Sequence, residues 1–111
     1  MIGNIEKDWR ERVVKNNLDL IVLRLLRSKQ RWGYEVNIAI RDRYHVYLSA
    51  GTLYPLLHTL EGDGYIQGEW ESPKGRGRRI YKITDSGINF LEAGERATVE
   101  LARMMQGPSG P

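Results

Sequence analysis

Apolar positions along the chain repeat at two different periods, and the switch between them separates helices from a hairpin. Ile5, Trp9 and Val13 stand four apart and form one stripe of a short amphipathic helix over residues 5–15. Asn17 is suited to cap a second helix, with Leu18, Ile21, Val22, Leu25 and Leu26 facing inward. Whether the two helices run on through Asn16 and Asn17 is open at this level. "SKQRWG" reads as a stop and turn, with Gly33 as the break. A third helix is expected from about Tyr34 to Tyr44, with Val36, Ala39 and Ile40 inside and Arg41, Asp42 and Arg43 in solvent. "HVYL" at 45–48 is β-favouring and predicts one short strand.

The stretch "SAGTLYPLLHTLEGDGYI", residues 49–66, places Leu53, Leu56, Leu57 and Leu60 at i, i+3, i+4 and i+7 of a fourth helix. Gly62 and Gly64 around Asp63 end it. Pro55 constrains its start, because proline is tolerated in a first turn and costs roughly 3 kcal/mol deeper inside. A cap at Thr52 puts Pro55 in the first turn; a cap at Ser49 requires a loosened start. The expected reading helix runs over about 50–62, loose over 49–52. The period then changes to two. "YIQGEWE" sets Ile66 and Trp70 on one side and Glu69 and Glu71 on the other, and "RIYKIT" sets Tyr81 and Ile83 on one face. With "SPKGRG" between them they predict a hairpin over about 65–83 with a long basic tip. Thr84 or Asp85 caps a last helix over about 85–106, and "GPSGP", 107–111, is a flexible tail. The expected fold class is α+β, mainly α. It is a single winged helix-turn-helix domain over residues 1–106, with an extra N-terminal helix and a long C-terminal dimerisation helix.

Composition narrows the classes of function. A chain of 111 residues with 41% apolar and 28% charged residues fits one soluble globular domain. Without cysteine, disulfides, thiolate chemistry and cysteine-bound zinc are excluded. "LDLIVLRLL" is too short for a membrane span and is interrupted by Asp19 and Arg24. The opening "MIGNIEKDWRER" has no apolar signal core, so a cytoplasmic protein with no membrane role is expected. His45 and His58 are the two histidines, and no Ser/His/Asp set, phosphate-cradling loop or HExxH is present. The chain therefore reads as no enzyme, with no metal and no cofactor.

Charge and face chemistry point elsewhere. The net charge of +3 says little, but "KGRGRR" gathers Lys74, Arg76, Arg78 and Arg79 with no acid among them. Such a tip neutralises phosphates without reading sequence. The fourth helix has an outer face of Gly51, Pro55, His58 and Thr59, flanked by Tyr54 and Glu61. Ordinary solvated faces favour Glu, Lys and Arg. A slim, uncharged face suits the DNA major groove, about 12 Å wide. Ser49, Thr52, Tyr54 and His58 are its candidate contacts. In the last helix Phe90, Gly94, Ala97, Leu101 and Met104 recur at 4, 3, 4, 3, a heptad seam. A helix of about twenty residues extends roughly 30 Å, more than a small domain covers. Leu91, Val99, Ala102 and Met105 add apolar positions off the seam, and Trp9 and Val13 can join the same surface. A homodimer presenting two reading helices to a dyad-symmetric site on double-stranded DNA follows. The competing reading is a winged-helix module for protein–protein interaction, its basic wing incidental.

"GYEV" at 33–36, "GTLYPLLHTLEGDGYI" at 51–66 and "GRRIYKITDSGINFL" at 77–91 together resemble the PadR family of transcriptional regulators. The resemblance covers about residues 18–91, and the length is similar to the compact subfamily with a single C-terminal helix. It implies a dimeric winged-helix protein, usually a repressor, that binds promoter DNA and dimerises through its C-terminal helix, often with an N-terminal one. It places Tyr34 at the start of the helix before the reader, against phosphate. It also places Thr52 and Tyr54 on the reader, and Arg78 and Arg79 on the wing. Trp32 departs from the histidine common at that position. Some relatives bind phenolic acids or planar drugs between aromatic residues at the dimer centre, a role open here to Trp9 and Phe90 for a small aromatic effector.

Overall fold

Asn17 is where the first helical run breaks. In the computed structural model, which describes residues 2–71 and 77–108, it separates α1 (Ile2–Asn16) from α2 (Leu18–Ser28). Its φ of −119° leaves helical geometry. Its backbone N–H donates to the Val14 carbonyl at 3.0 Å and its side-chain amide to the Val13 carbonyl at 2.7 Å. Asn17 thus closes the end of α1, and its side chain does not cap α2 as the sequence suggests. Polar side chains that bond nearby backbone in this way compete with a continuing helix.

The turn expected around Gly33 is a strand. β1 (Arg31–Trp32) lies on the free edge of β3 (Arg79–Ile83), which pairs on its other side with β2 (Ile66–Trp70). All pairs are antiparallel, with Arg31 opposite Tyr81, Trp32 opposite Ile80 and Ile66 opposite Ile83. Gly33 is therefore not a break but the first residue of α3 (Gly33–Tyr44), whose start is closed by the Trp32 N–H donating to Glu35 Oε1 at 2.9 Å. The short strand expected at 45–48 is absent. His45 ends α3 in a left-handed conformation, φ 57°. The following residues are an extended link with Val46 and Leu48 buried and Tyr47 exposed. The alternation is real, but its cause is packing on the core. The Leu48 carbonyl accepts from Asn37 Nδ2 at 3.2 Å and not from a strand neighbour.

Ser49, not Thr52, holds the cap position of α4 (Ala50–Gly62). Its carbonyl accepts the Thr52 and Leu53 N–H groups at 3.0 and 3.1 Å, so the first turn is regular and not loosened. Pro55 falls one turn deeper than a first-turn proline would. The carbonyl it leaves without a donor belongs to Gly51, which is exposed and open to water. Leu53, Leu57 and Leu60 are buried and Leu56 packs partly against them, as their spacing requires. Ile66 and Trp70 share a face by parity, but only Ile66 reaches the core; Trp70, at the strand end, is half-exposed.

Thr84 caps α5 (Asp85–Gln106), accepting from the Gly87 N–H at 3.0 Å and donating to the Gly64 carbonyl at 2.6 Å. The core gathers Val22 and Leu23 of α2, Val36 and Ile40 of α3, Leu53 and Leu57 of α4, Ile66 of β2 and Leu91 of α5. This is a winged helix, with α4 as the second helix of the helix-turn-helix and β2–β3 as the wing. α5 is held to α2 by Leu91, by the ion pairs Arg24–Glu95 and Arg27–Glu92, and by Leu20 lying over Gly94. From Arg96 to Pro108 every residue is exposed. The helix runs off the body, and the molecule measures 63 Å along its longest axis.

Candidate nucleic-acid interface

Gly33 is the point where three elements meet. The Tyr54 ring of α4 lies against it so closely that a Cβ there would stand 2.8 Å from Tyr54 Cε1. Any side chain at position 33 would have to push the Tyr54 ring away. The next residue, Tyr34, stacks on Trp32 with ring centres 5.7 Å apart. Arg78, at the foot of the wing, lays its guanidinium 4.0 Å from the centre of the Trp32 ring and donates from Nη1 to Tyr34 Oη at 2.9 Å. A flat cation on an indole face is held by the ring quadrupole, so Trp32 and Tyr34 set the position of Arg78. Tyr34, Tyr54, Trp70, Arg78 and Tyr81 line one recess of about 310 Å³ here. Burial raises the Tyr81 hydroxyl above its ordinary pKa.

Three residues expected to touch DNA, Tyr34, Tyr54 and Arg78, are therefore neighbours although they come from α3, α4 and the wing. Ser49 and Thr52 sit at the tip of α4, both exposed, with their hydroxyls 3.1 Å apart. His58 is exposed one turn beyond Tyr54 on the outer face. Lys74 and Arg76 lie outside the described residues. Tyr47, at the entry to α4, is a surface residue that the sequence pattern assigned to a strand. Its position between two buried aliphatic residues was the available signal.

Arg79 is a different case. It forms a two-pronged pair with Glu61 of α4, at 3.1 and 3.0 Å, and donates to the Gly68 carbonyl at 2.7 Å. Its guanidinium lies between the rings of Trp70 and Tyr81, 5.5 and 5.6 Å from their centres. Glu61 also accepts from the Gly68 N–H at 3.0 Å. Arg79 is thus committed to fastening the wing to the end of α4 and is not a free cation. Arg79→Ala strands a half-buried carboxylate and a strand carbonyl, and is expected to cost about 2 kcal/mol. Urea unfolding measures it; an unchanged midpoint would mean the clamp is ornamental.

The residues expected at a dimer surface split into two groups. Phe90 stacks one face on Tyr65 with ring centres 4.2 Å apart while staying partly exposed, and Gly94 is packed by Leu20, so the first half of the seam is in contact with its own chain. Ala97, Leu101 and Met104 are exposed along the free half of α5, as are Trp9 and Val13 on α1. Between the two helices an open, apolar cleft of about 550 Å³ is lined by Val13, Leu20, Ile21, Tyr44 and Val99, among others. Neither Trp9 nor Phe90, the residues open to an aromatic effector, lines it. Among the described residues no group of His, Asp and Glu could hold a metal ion, and no helix is long and apolar enough to cross a membrane.

The family model of the "transcriptional regulator PadR-like family" matches residues 22–93, from α2 through α4 and the wing into α5. The chain belongs to the PadR-like family. A transcriptional regulator of Mycobacterium tuberculosis is 45% identical over 66 residues, 60% of this chain and 62% of that protein, so less than two thirds of that relative is spanned. The solved structure of a PadR family transcriptional regulator from Eggerthella lenta is similar with a TM-score of 0.81 and 27% identity, over 95% of this chain and 92% of that one. A transcriptional regulator from Clostridium thermocellum is similar with a TM-score of 0.78 and 25% identity, over 88% and 95%. The PadR likeness thus extends past the matched residues to most of the chain. The family and these relatives are transcriptional regulators.

Proposed function

We propose that this PadR-like protein is a cytoplasmic, sequence-specific DNA-binding repressor that acts as a homodimer on a dyad-symmetric promoter site. The observation that carries the reading is the convergence of Tyr34, Tyr54 and Arg78 on one face beside the hydroxyl-bearing tip of α4. Ser49 and Thr52 supply donors and acceptors for base edges or phosphates as α4 enters the major groove. Arg78 meets a phosphate beside the groove and contributes charge, not selectivity. The slim outer face of Gly51, Pro55, His58 and Thr59 lets the helix approach the bases. Repression follows from occupancy, because a protein seated on a promoter excludes polymerase.

The exposed apolar residues of α1 and the free half of α5 support the dimer, since large apolar side chains left in water along two helices favour an interface. Two-fold pairing then sets two copies of α4 about one DNA turn apart, roughly 34 Å. Footprinting on the DNA upstream of the chain's own gene tests the whole reading. Two protected half-sites related by a dyad are expected. Arg78→Ala should lower affinity for specific and unrelated duplexes alike and reduce the salt slope by about one charge. Unchanged DNA binding by that variant, with no protected site, would favour the protein-interaction module instead.

A further inference from the structure

Tyr47 serves neither the core nor the wing, yet the fold fixes where it stands. It is 79% exposed, while Val46 and Leu48 on either side are buried at 1% and 9%. The Leu48 carbonyl is held by Asn37, and His45 turns the chain out of α3 in a left-handed conformation. The backbone is therefore anchored on both sides of Tyr47, and its ring is presented outward two residues before the cap of α4. It shares a recess of about 340 Å³ with Tyr34, Ile38, Arg41, Ala50 and Tyr54. Tyr34 and Tyr54 also border the recess that holds Arg78. Tyr47 thus continues the same face on the side of α4 opposite the wing.

Arg41 is the one charged residue lining this recess, and the rest of this end is uncharged. The first turn of α4 has no acidic residue, and the Arg41 guanidinium is engaged by Asp42, Nε to Oδ1 at 3.1 Å. What the surface offers is a phenol hydroxyl, an aromatic face and the N–H end of a helix, which favours anionic groups. A deoxyribose-phosphate backbone matches all three: its phosphate accepts a hydrogen bond and its sugar presents an apolar face. The geometry points to Tyr47 as a further DNA contact, donating its hydroxyl to a backbone phosphate while its ring packs on the adjoining sugar. The inference rests on the DNA-binding reading and adds a feature to it. The strand at the tip of α4 is gripped by neutral groups, so that part of the affinity involves no displaced counterion and does not fall with salt.

Tyr47→Phe removes the hydroxyl alone and, at an exposed position, leaves the fold intact. Binding of the variant and the parent is measured by fluorescence anisotropy on a labelled duplex from the upstream DNA and on an unrelated duplex. The salt is varied over about 50–200 mM, where charge contacts show their slope. The expected result is an affinity about fivefold lower on both duplexes at every salt concentration, with the slope unchanged. Tyr47→Ala, which also removes the ring, should lose more. Parent-like affinity for both variants overturns the contact, as does a loss that disappears at high salt. A parent chain that binds neither duplex overturns the DNA reading itself; a parent that binds alongside indifferent variants overturns only the role of Tyr47.

Discussion

Gly87→Ala is expected to destabilise the protein by about 2 kcal/mol, although alanine is the better helix former. Gly87 lies buried in the first turn of α5, where a Cβ would stand 2.1 Å from the Tyr65 carbonyl oxygen and 2.8 Å from Ile83 Cγ1. The obstacle is backbone, which has no rotamer to move to. That carbonyl accepts the Thr84 N–H at 3.0 Å, while the Tyr65 N–H donates to the Leu60 carbonyl at 3.0 Å and Thr84 Oγ1 to Gly64. The end of α4, the start of β2 and the cap of α5 are therefore bonded to one another where the methyl must go. Overpacking costs about 1–3 kcal/mol, and an obstacle made of backbone puts this site at the upper end, against about 1 kcal/mol returned by helix propensity. With roughly 4–8 °C of melting temperature per kcal/mol in a domain of this size, a drop of at least about 8 °C is expected. Thermal unfolding followed by circular dichroism checks it. A variant as stable as the parent would show that α5 slides outward without cost.

The same junction shows what the pattern of residues could and could not reveal. The leucines of α4 and the length of α5 were legible because helical periodicity follows from burying one face, which depends on local spacing. β1 was not, since two residues paired with a strand almost fifty positions later carry no period of their own. The link at 45–48 misled for a related reason: alternation reports which side chains are buried and is silent on whether the backbone has a partner. Ser49 against Thr52 could be decided only by seeing which carbonyl accepts the first helical N–H groups. Pro55 alone favoured the wrong one.

In the candidate site, residue type was legible and allegiance was not. Arg78 and Arg79 are adjacent and identical in charge, yet one lies on Trp32 at the surface and the other closes on Glu61. Adjacent residues on a strand face opposite sides, so a run of basic residues at a strand start divides between two surfaces. Trp32, without a consequence in the sequence, is the platform for Arg78. The heptad of α5 divides in a similar way. Leu91 is the core residue of that helix, while Phe90 and Gly94 are occupied by Tyr65 and Leu20. An interface written at heptad spacing can begin only where the intrachain packing stops, after Glu95.

That boundary makes Leu101→Glu the sharpest test of assembly. Leu101 is 54% exposed, lies beyond the last residue of α5 that is tied to α2, and shares its side of the helix with Met104 and Met105, three and four positions on and also exposed. In a two-fold dimer the substitution acts twice, because the same patch occurs on both copies. Each copy loses the burial of a leucine, about 1.5–3 kcal/mol, and must desolvate a carboxylate or expose the seam. The expected result is a monomer by light scattering at concentrations where the parent is a dimer. The circular dichroism spectrum should be unchanged, because an exposed residue of the single chain is the one altered. Affinity for the dyad site should fall by about a hundredfold or more, since the second half-site is no longer bound as a linked event. Affinity for a single half-site should barely change. Loss of half-site binding would mean that the substitution damages the winged helix, and a dimer that persists would place the interface somewhere other than the free half of α5.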